Sequence, residues 1–176
     1  MTNPREYVAV ETAKGGLPVT IRALHDDDRQ KVAAAIRGLD RESIYLRLFS
    51  YRDELTEAGL DRVMRFDPAG EIVLVATIGA DVDERVIGSA RYVVTSPGMA
   101  EVAFMIEEDF HGKGIASRLL RHLAIVACAR GITTFEADVL AENRPMLAVF
   151  ERTGWPVQKR REGGVVHIEL SLPSTT

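Results

Sequence analysis

The sequence predicts a mixed α/β (α+β) domain built on a mostly antiparallel sheet that contains one parallel pair of central strands. Apolar segments in the first hundred residues come in pairs separated by turn signals, which is typical of antiparallel hairpins. Further along, two apolar segments over 100–106 and 133–139 are separated by a helical pattern over 115–127. Parallel strands require such a crossover, so we expect these two strands to pair in parallel.

The N-terminal half is predicted to fold into two hairpins joined by a helical region. Lys14-Gly15-Gly16 marks the turn of the first hairpin. The aspartates at 26–28 are expected to cap the following helix, because carboxylates are favoured at a helix N-terminus. A metal site there is the alternative, although adjacent residues on a helix point in different directions. The expected elements are strands over 7–11 and 18–24, helices over 25–39, 40–49 and 56–66, and strands over 72–78 and 85–94.

The C-terminal half is predicted to alternate strands and helices before a last hairpin. Gly131 is expected to end the long helix that precedes the strand over 133–139. Asn143 is expected to cap the next helix, with Pro145 in its first turn. Gly163-Gly164 then marks the turn between the last two strands, which are expected over 157–161 and 165–172.

Length and composition limit the class of protein to which the chain can belong. A chain of 176 residues is expected to form a single domain over 1–176, with a core large enough to fold without cross-links. The net charge of −4 argues against nucleic-acid binding by phosphate neutralisation. No apolar run approaches the ~18 residues of a membrane span and no signal peptide is recognisable, so we expect a cytoplasmic protein that does not contact membranes. The single cysteine, Cys128, is expected to be a small core residue.

Two glycines near the middle of the chain predict an anion-binding turn. The apolar strand over 100–106 leads through a polar segment to Gly112 and Gly114, and a helix follows at once. Glycines let main-chain N–H groups approach a ligand closely, and the first turn of a helix leaves N–H groups with partial positive charge. A phosphate or pyrophosphate is therefore the expected ligand.

The same residues resemble motif A of the GNAT superfamily, the acetyl-CoA-dependent N-acetyltransferases. The family pattern is Gln/Arg-x-x-Gly-x-Gly/Ala, and the chain reads His-Gly-Lys-Gly-Ile-Ala over 111–116. His111 replaces Gln or Arg at a position whose family role is carried mostly by backbone. The resemblance implies acetyl-CoA as co-substrate and the GNAT fold, a mixed, mostly antiparallel twisted sheet of about seven strands flanked by about four to five helices.

Other segments extend this resemblance over 18–172. The stretch from Asn143 to Trp155 resembles GNAT motif B, and Ile87-Gly88 stands where the family commonly places an Ile-Gly pair. Residues 21–49 are similar to the GNAT domain of bacterial protein-lysine acetyltransferases. That similarity makes a protein lysine the first choice of acceptor and suggests that Tyr45 and Arg47 line the acceptor entrance. Packing and a surface charge are the alternative roles for these two side chains.

Glu101 is the candidate catalytic base. Acetyl transfer to an amine requires loss of a proton, because a free lysine amine has a pKa of about 10.4. On a strand, Glu101 shares a face with Ala103 and Met105, and several GNAT members use a Glu at this place to deprotonate the amine. The alternative is a strand-edge Glu that faces water. Glu107 and Glu108 are expected to be loop charges.

The resemblance also implies a set of cofactor-binding residues. Backbone N–H groups near Phe104 and Met105 are the expected donors to the developing oxyanion. The turn from His111 to Ser117 is expected to hold the pyrophosphate, with Lys113 or Arg118 adding charge at its rim. The full expected set is Phe104, Met105, Ile106, His111, Gly112, Lys113, Gly114, Ile115, Ala116, Ser117, Asn143 and Phe150.

The general acid is a gap in the predicted site. Many GNAT enzymes carry a Tyr on the motif B helix near the leaving thiolate, and Phe150 stands at that position here. Because Phe has no proton to donate, water, Ser117 or no dedicated acid is left for the role. A catalytically weak module that senses acyl-CoA therefore stays open. No metal is expected, since His25, His122 and His167 lack Cys or His neighbours at ligand spacing.

Three further alternatives concern the ligand of the glycine turn, the acceptor and the oligomeric state. The glycines and Ser117 nearly match the Rossmann fingerprint, with Asp138 near the place of the ribose-binding acid. The polar segment over 107–111 and the preceding hairpins count against that dinucleotide site. A small-molecule amine is the alternative acceptor to a protein lysine, and the frequent dimerisation of the family leaves a homodimer open.

Overall fold

The computed structural model describes residues 3–38 and 57–174 of the chain. The predicted helix over 40–49 and the expected acceptor residues Tyr45 and Arg47 lie outside these ranges, as does Thr56, the first residue of the predicted helix over 56–66. The described strands are β1 (Val8–Ala13), β2 (Leu17–Ala23), β3 (Glu71–Ile78), β4 (Arg85–Ser96), β5 (Met99–Ile106), β6 (Thr134–Leu140), β7 (Val157–Glu162) and β8 (Val165–Ser171). The described helices are α1 (Arg29–Arg37), α2 (Glu57–Met64), α3 (Ile115–Ala129) and α4 (Arg144–Glu151).

The eight strands form one mixed sheet in the order β1-β2-β3-β4-β5-β6-β8-β7, where the family resemblance led us to expect about seven. All neighbours run antiparallel except β5 and β6, which are parallel and are connected by α3 as predicted. The hairpins before β5 and the last hairpin around Gly163-Gly164 are likewise confirmed. None of the described helices is long and apolar enough to cross a membrane.

Helices cover the two faces of the sheet unequally. On one face α3 buries Ile115, Leu119 and Leu123 against alternate residues of the central strands, and this is the larger core. On the opposite face α1 and α2 bury Val32, Leu60 and neighbouring side chains against β3 and the start of β4. Because side chains alternate along a strand, the residues of β5 are divided between these two faces.

The start of α1 differs from the predicted cap. Asp26–Asp28 form a short 3₁₀ turn, and Asp28 precedes α1 without a capping hydrogen bond to the helix. Its buried carboxylate instead accepts two hydrogen bonds of 2.8 Å from Arg22 and one of 2.7 Å from the backbone N–H of His25. The requirement to pair a buried guanidinium on β2 therefore takes precedence over the local capping pattern.

The other side of the Arg22 guanidinium pairs with Glu84. The Nη2 and Nε groups of Arg22 donate to the Glu84 carboxylate at 2.8 and 3.3 Å, and Lys31 and Thr77 donate to the same group. Hydrogen bonding from Arg22 holds the pKa of Glu84 down at about 2. We call Arg22, Lys31, Asp28, Glu84 and Thr77 the ionic network; it joins β2, β3 and α1 to the turn before β4.

Cys128 lies at the edge of the α3 core. It is half-buried and packs against the core, so its expected place as a small core residue is confirmed only in part. Its thiol lies 3.5 Å from the carbonyl oxygen of Pro173, and burial raises its pKa.

Candidate active site

A groove opens where the central sheet divides. The parallel pairing of β5 with β6 covers only the positions from Met99 to Glu101 on β5, and beyond Glu101 the two strands separate. Strand backbone directs alternate N–H groups toward each neighbour, so the amides of β5 that face β6 lose their partner strand there. The groove is lined by Val102, Ala103, Phe104, Ala137, Asp138, Val139, Asn143, Met146 and Phe150.

Aromatic rings form the inner wall of this groove. Phe104 of β5 and Phe150 of α4 are both buried and meet edge to face, with ring centroids 6.0 Å apart. Asn143 caps α4 as predicted, since its side chain accepts the backbone N–H of Met146 at 3.3 Å. The groove is narrow and partly open to solvent, with a cavity volume of only about 20 Å³.

The glycine turn lies at the end of β5, directly before α3. Gly112 and Gly114 have φ angles of 77° and 78°, a left-handed conformation that side chains disfavour. No side chain of the described residues caps α3, so the N–H groups of Ile115, Ala116 and Ser117 are left for another acceptor. The turn has the geometry expected of an anion-binding site at a helix N-terminus.

His111 has a defined structural role at the first position of the glycine motif. Its Nε2 atom lies 2.9 Å from the carbonyl oxygen of Ile106, the last residue of β5. This hydrogen bond joins the two ends of the segment between β5 and the glycine turn. A histidine can therefore replace the Gln or Arg of the family pattern here.

Arg118 does not lie at the rim in the expected manner. Its two Nη groups donate to the carbonyl oxygens of Gly114, at 3.0 Å, and of Thr12 on β1, at 2.8 Å. The guanidinium therefore connects the glycine turn to β1 and does not extend toward a ligand. Lys113 keeps its expected place beside the turn, and its contact with a ligand stays a prediction.

Gly88 explains the Ile-Gly pair in β4. A Cβ atom at Gly88 would lie 2.9 Å from Cδ1 of Ile106 and 3.0 Å from the carbonyl oxygen of Met105. Only glycine lets β4 approach the end of β5 this closely. The pair thus sets the position of the strand from which the glycine turn begins.

Glu101 lies on the face of the sheet opposite α3. It is exposed and shares that face with Ala103 and Met105, whereas Val102 and Phe104 are buried on the α3 side, as the alternation predicted. The groove begins beside Glu101, because it is lined by the next three residues of β5, and the glycine turn follows the end of the same strand. A thioester and an amine could reach this point from opposite faces.

A row of carboxylates continues across the sheet from Glu101. Glu101 is in register with Glu136 of β6, which is in register with Glu169 of β8. His167 lies beside this row. Its Nδ1 atom is 2.8 Å from the carboxylate of Asp138, and its Nε2 atom is 4.0 Å from that of Glu136 and 3.8 Å from that of Glu169. The prediction did not single out these residues as a group, because only the pairing of three distant strands brings them together.

Among the described residues, two groups of side chains have ligand atoms close enough to hold a cation. One is Glu136, His167 and Glu169, and the other is His25, Asp27 and Asp28. In the second group, Arg22 already occupies the carboxylate of Asp28. The expectation that the protein needs no metal stays a prediction.

Glu107 is not the loop charge that was expected. It is buried at 5% exposure and pairs with Arg85, whose guanidinium lies 5.4 Å from the ring centre of Phe110. Its backbone N–H also donates to the carbonyl oxygen of Ile87 at 2.8 Å. Glu107 therefore joins the start of β4 to the end of β5, and sequence spacing gave no sign of this pairing.

Comparison with known proteins gives consistent results. Residues 34–155 match the family described as Acetyltransferase (GNAT) family. Acetyltransferase Pat of Mycolicibacterium smegmatis is 37% identical over 75% of the chain, and the chain spans 39% of that protein. Acetyltransferase PA5475 of Pseudomonas aeruginosa is 31% identical over 78% of the chain and 74% of its own length. The crystal structure of the GNAT domain of S. lividans PAT has a TM-score of 0.85 and 32% identity, and the match covers 97% of this chain and 100% of that one.

Proposed function

Because the chain belongs to the GNAT family of acetyltransferases, we propose that it transfers an acetyl group from acetyl-CoA to a primary amine, with a protein lysine as the first choice of acceptor. The observation that carries this proposal is the groove between β5 and β6. It lies along β5, between the Glu101 carboxylate on the opposite face of the sheet and the glycine turn that follows the strand.

The residues present fit the cofactor. The left-handed glycines and the uncapped start of α3 provide amide donors for the pyrophosphate of acetyl-CoA, with Lys113 at the rim. The narrow groove with Phe104 and Phe150 on its wall would hold the pantetheine arm. Acetyl-CoA supplies an acyl group that is already activated as a thioester.

The reaction requires a proton acceptor and oxyanion donors from the protein. The Glu101 carboxylate takes a proton from the incoming ammonium, directly or through water, so that the amine becomes nucleophilic. A backbone amide near Phe104 and Met105 that faces the groove donates to the carbonyl oxygen as it gains negative charge, because β6 no longer pairs with β5 there. Phe150 donates no proton to the leaving thiolate, so Ser117 or water serves in that step.

The acceptor side supports a cationic amine. Glu101, Glu136 and Glu169 form an acidic row on the face opposite α3, and such a row attracts positive charge. The names of the relatives Acetyltransferase Pat and GNAT domain of S. lividans PAT agree with acetyl transfer, and the resemblance of residues 21–49 to protein-lysine acetyltransferases favours a protein acceptor. A small-molecule amine is the alternative acceptor.

Phe150 favours a second candidate function. It is 1% exposed, lines the groove and carries no hydroxyl group. A module that binds acyl-CoA as a sensor and transfers slowly or not at all would need no proton donor at this place. Tight binding of acetyl-CoA with no transfer to any protein or small amine would identify this second function.

The decisive variant is Glu101→Gln, with Glu162→Gln as a matched exposed glutamate at the end of β7. We expect Glu101→Gln to lower turnover by about 100-fold or more, because a positioned general base contributes roughly 10²–10⁴. The affinity for acetyl-CoA, measured by calorimetry, should not change. Transfer is followed by mass spectrometry with lysate proteins and a library of small amines as acceptors. Turnover within about threefold of the parent would exclude Glu101 as the base.

A further inference from the structure

The turn of the first hairpin lies directly against the glycine turn. The backbone N–H of Lys14, between β1 and β2, donates to the carbonyl oxygen of Lys113 at 3.2 Å. The carbonyl oxygen of Thr12 accepts a 2.8 Å hydrogen bond from Arg118 in the first turn of α3. Two separate contacts therefore fix the hairpin to the anion-binding turn.

A chain of polar side chains holds this contact in place. The Nε atom of Arg118 lies 3.8 Å from the carboxylate of Glu11, which is 2.7 Å from Nε2 of His122. The Nδ1 atom of the same imidazole is 2.5 Å from the hydroxyl of Tyr7. Burial and the nearby Glu11 charge raise the pKa of Tyr7, so its hydroxyl stays protonated and can donate to His122.

This arrangement brings two lysines together at the mouth of the site. Lys14 is exposed and Lys113 is half-exposed, and neither ammonium group pairs with a carboxylate in the described part of the chain. The positive charge of Arg118, by contrast, is directed at carbonyl oxygens and at Glu11. The backbones of the two lysines are in contact, so both side chains extend from the edge of the glycine turn, where an ammonium group would attract a bound phosphate.

We infer that Lys14 and Lys113 together bind a phosphate group of coenzyme A, which makes the N-terminal hairpin part of the cofactor site. This inference rests on the proposed function. The amides of the glycine turn hold one anionic group, and the lysine pair binds at its outer edge. The phosphate is either the 3′-phosphate or the pyrophosphate, since both groups offer anionic oxygens to an ammonium group.

The test compares Lys14→Ala with Lys159→Ala, an exposed lysine on β7. Calorimetry measures binding of coenzyme A and of dephospho-coenzyme A, which lacks the 3′-phosphate. We expect Lys14→Ala to weaken coenzyme A binding about three- to tenfold, and Lys14→Arg to retain it, because an exposed charge-assisted contact is worth that much. The melting temperature should not change, since the Lys14 backbone hydrogen bond does not depend on its side chain.

The two ligands identify the phosphate. A loss seen with coenzyme A but not with dephospho-coenzyme A assigns the lysine pair to the 3′-phosphate, and an equal loss with both assigns it to the pyrophosphate. Binding by Lys14→Ala that matches Lys159→Ala would overturn the inference while leaving the proposed function intact. Failure of the parent protein to bind coenzyme A would overturn both.

Discussion

Replacement of Arg22 by methionine should destabilise the fold severely. Arg22 is 8% exposed and Asp28 is 1% exposed, and the guanidinium provides two of the three hydrogen bonds found on that buried carboxylate. Removing one partner of a buried ion pair costs about 3–5 kcal/mol, because the other charge stays buried without compensation. Since domains of this kind have a free energy of unfolding of about 5–15 kcal/mol, the loss is a large fraction of the total.

The matched control is Lys31→Met. Lys31 contacts Glu84 at 2.8 Å from the edge of the same ionic network, and its side chain is 34% exposed. An exposed ion pair contributes only about 0–1 kcal/mol. Denaturant unfolding at neutral pH, followed by circular dichroism, measures both variants. If Arg22→Met were no less stable than Lys31→Met, the stabilising role assigned to the buried pair would be refuted.

The ionic network also predicts how stability depends on pH. Burial opposes ionisation of Asp28, but hydrogen bonds from Arg22 and His25 outweigh it, and the pKa of Asp28 is lowered. The pKa of Glu84 falls from 4.5 to about 2, chiefly through its hydrogen bond to Arg22. A lowered carboxylate pKa stabilises the fold above the unfolded value, and that contribution is lost as pH falls from 4.5 toward 2. For Glu84 the loss is about 3 kcal/mol, and it should be smaller in Arg22→Met, where Lys31 still lowers the pKa of Glu84.

Two glycine substitutions test the geometry of the cofactor turn. Gly114→Ala places a Cβ at a φ of +78° and 2.5 Å from Nη1 of Arg118, so we expect coenzyme A binding to weaken about tenfold in calorimetry, whereas Gly163→Ala on the last hairpin should leave binding unchanged. Gly88→Ala should lower the free energy of unfolding by about 1–3 kcal/mol, because its Cβ would lie 3.0 Å from the carbonyl oxygen of Met105. Parent-like stability of Gly88→Ala in denaturant unfolding would show that β4 and β5 can move apart at no cost.

Local sequence patterns were enough to predict most of the fold. Alternation along β5 was enough to separate Glu101 from the buried Val102, and the helix cap at Asn143 was readable from its neighbours. The alternation and the cap depend on interactions within a few residues, so the sequence alone predicted them. The lack of a Cβ at Gly112 and Gly114 permits the left-handed conformation that both adopt, but that conformation was not predicted from the sequence.

Hydrogen-bond and ion-pair partners that are distant in sequence could not be predicted from such patterns. Arg118 was expected to face a ligand, yet its guanidinium donates to Thr12, which lies 106 residues away along the chain. Glu107 was taken for a loop charge, and its partner Arg85 lies 22 residues away on another strand. Charged residues have no periodicity that identifies such partners, because only the completed sheet brings them together.

The short ladder between β5 and β6 has a mechanical consequence. Strands β6, β8 and β7 pair with the rest of the sheet along a seam of three residue pairs, supplemented by hydrogen bonds from Thr133 and Thr134 to Gly98 and by helix packing. A ligand bound in the gap would contact both β5 and β6 and take the place of the missing hydrogen bonds between them. Part of the binding free energy then stabilises the contact between the two parts of the sheet. The C-terminal strands therefore become more rigid when the site is occupied.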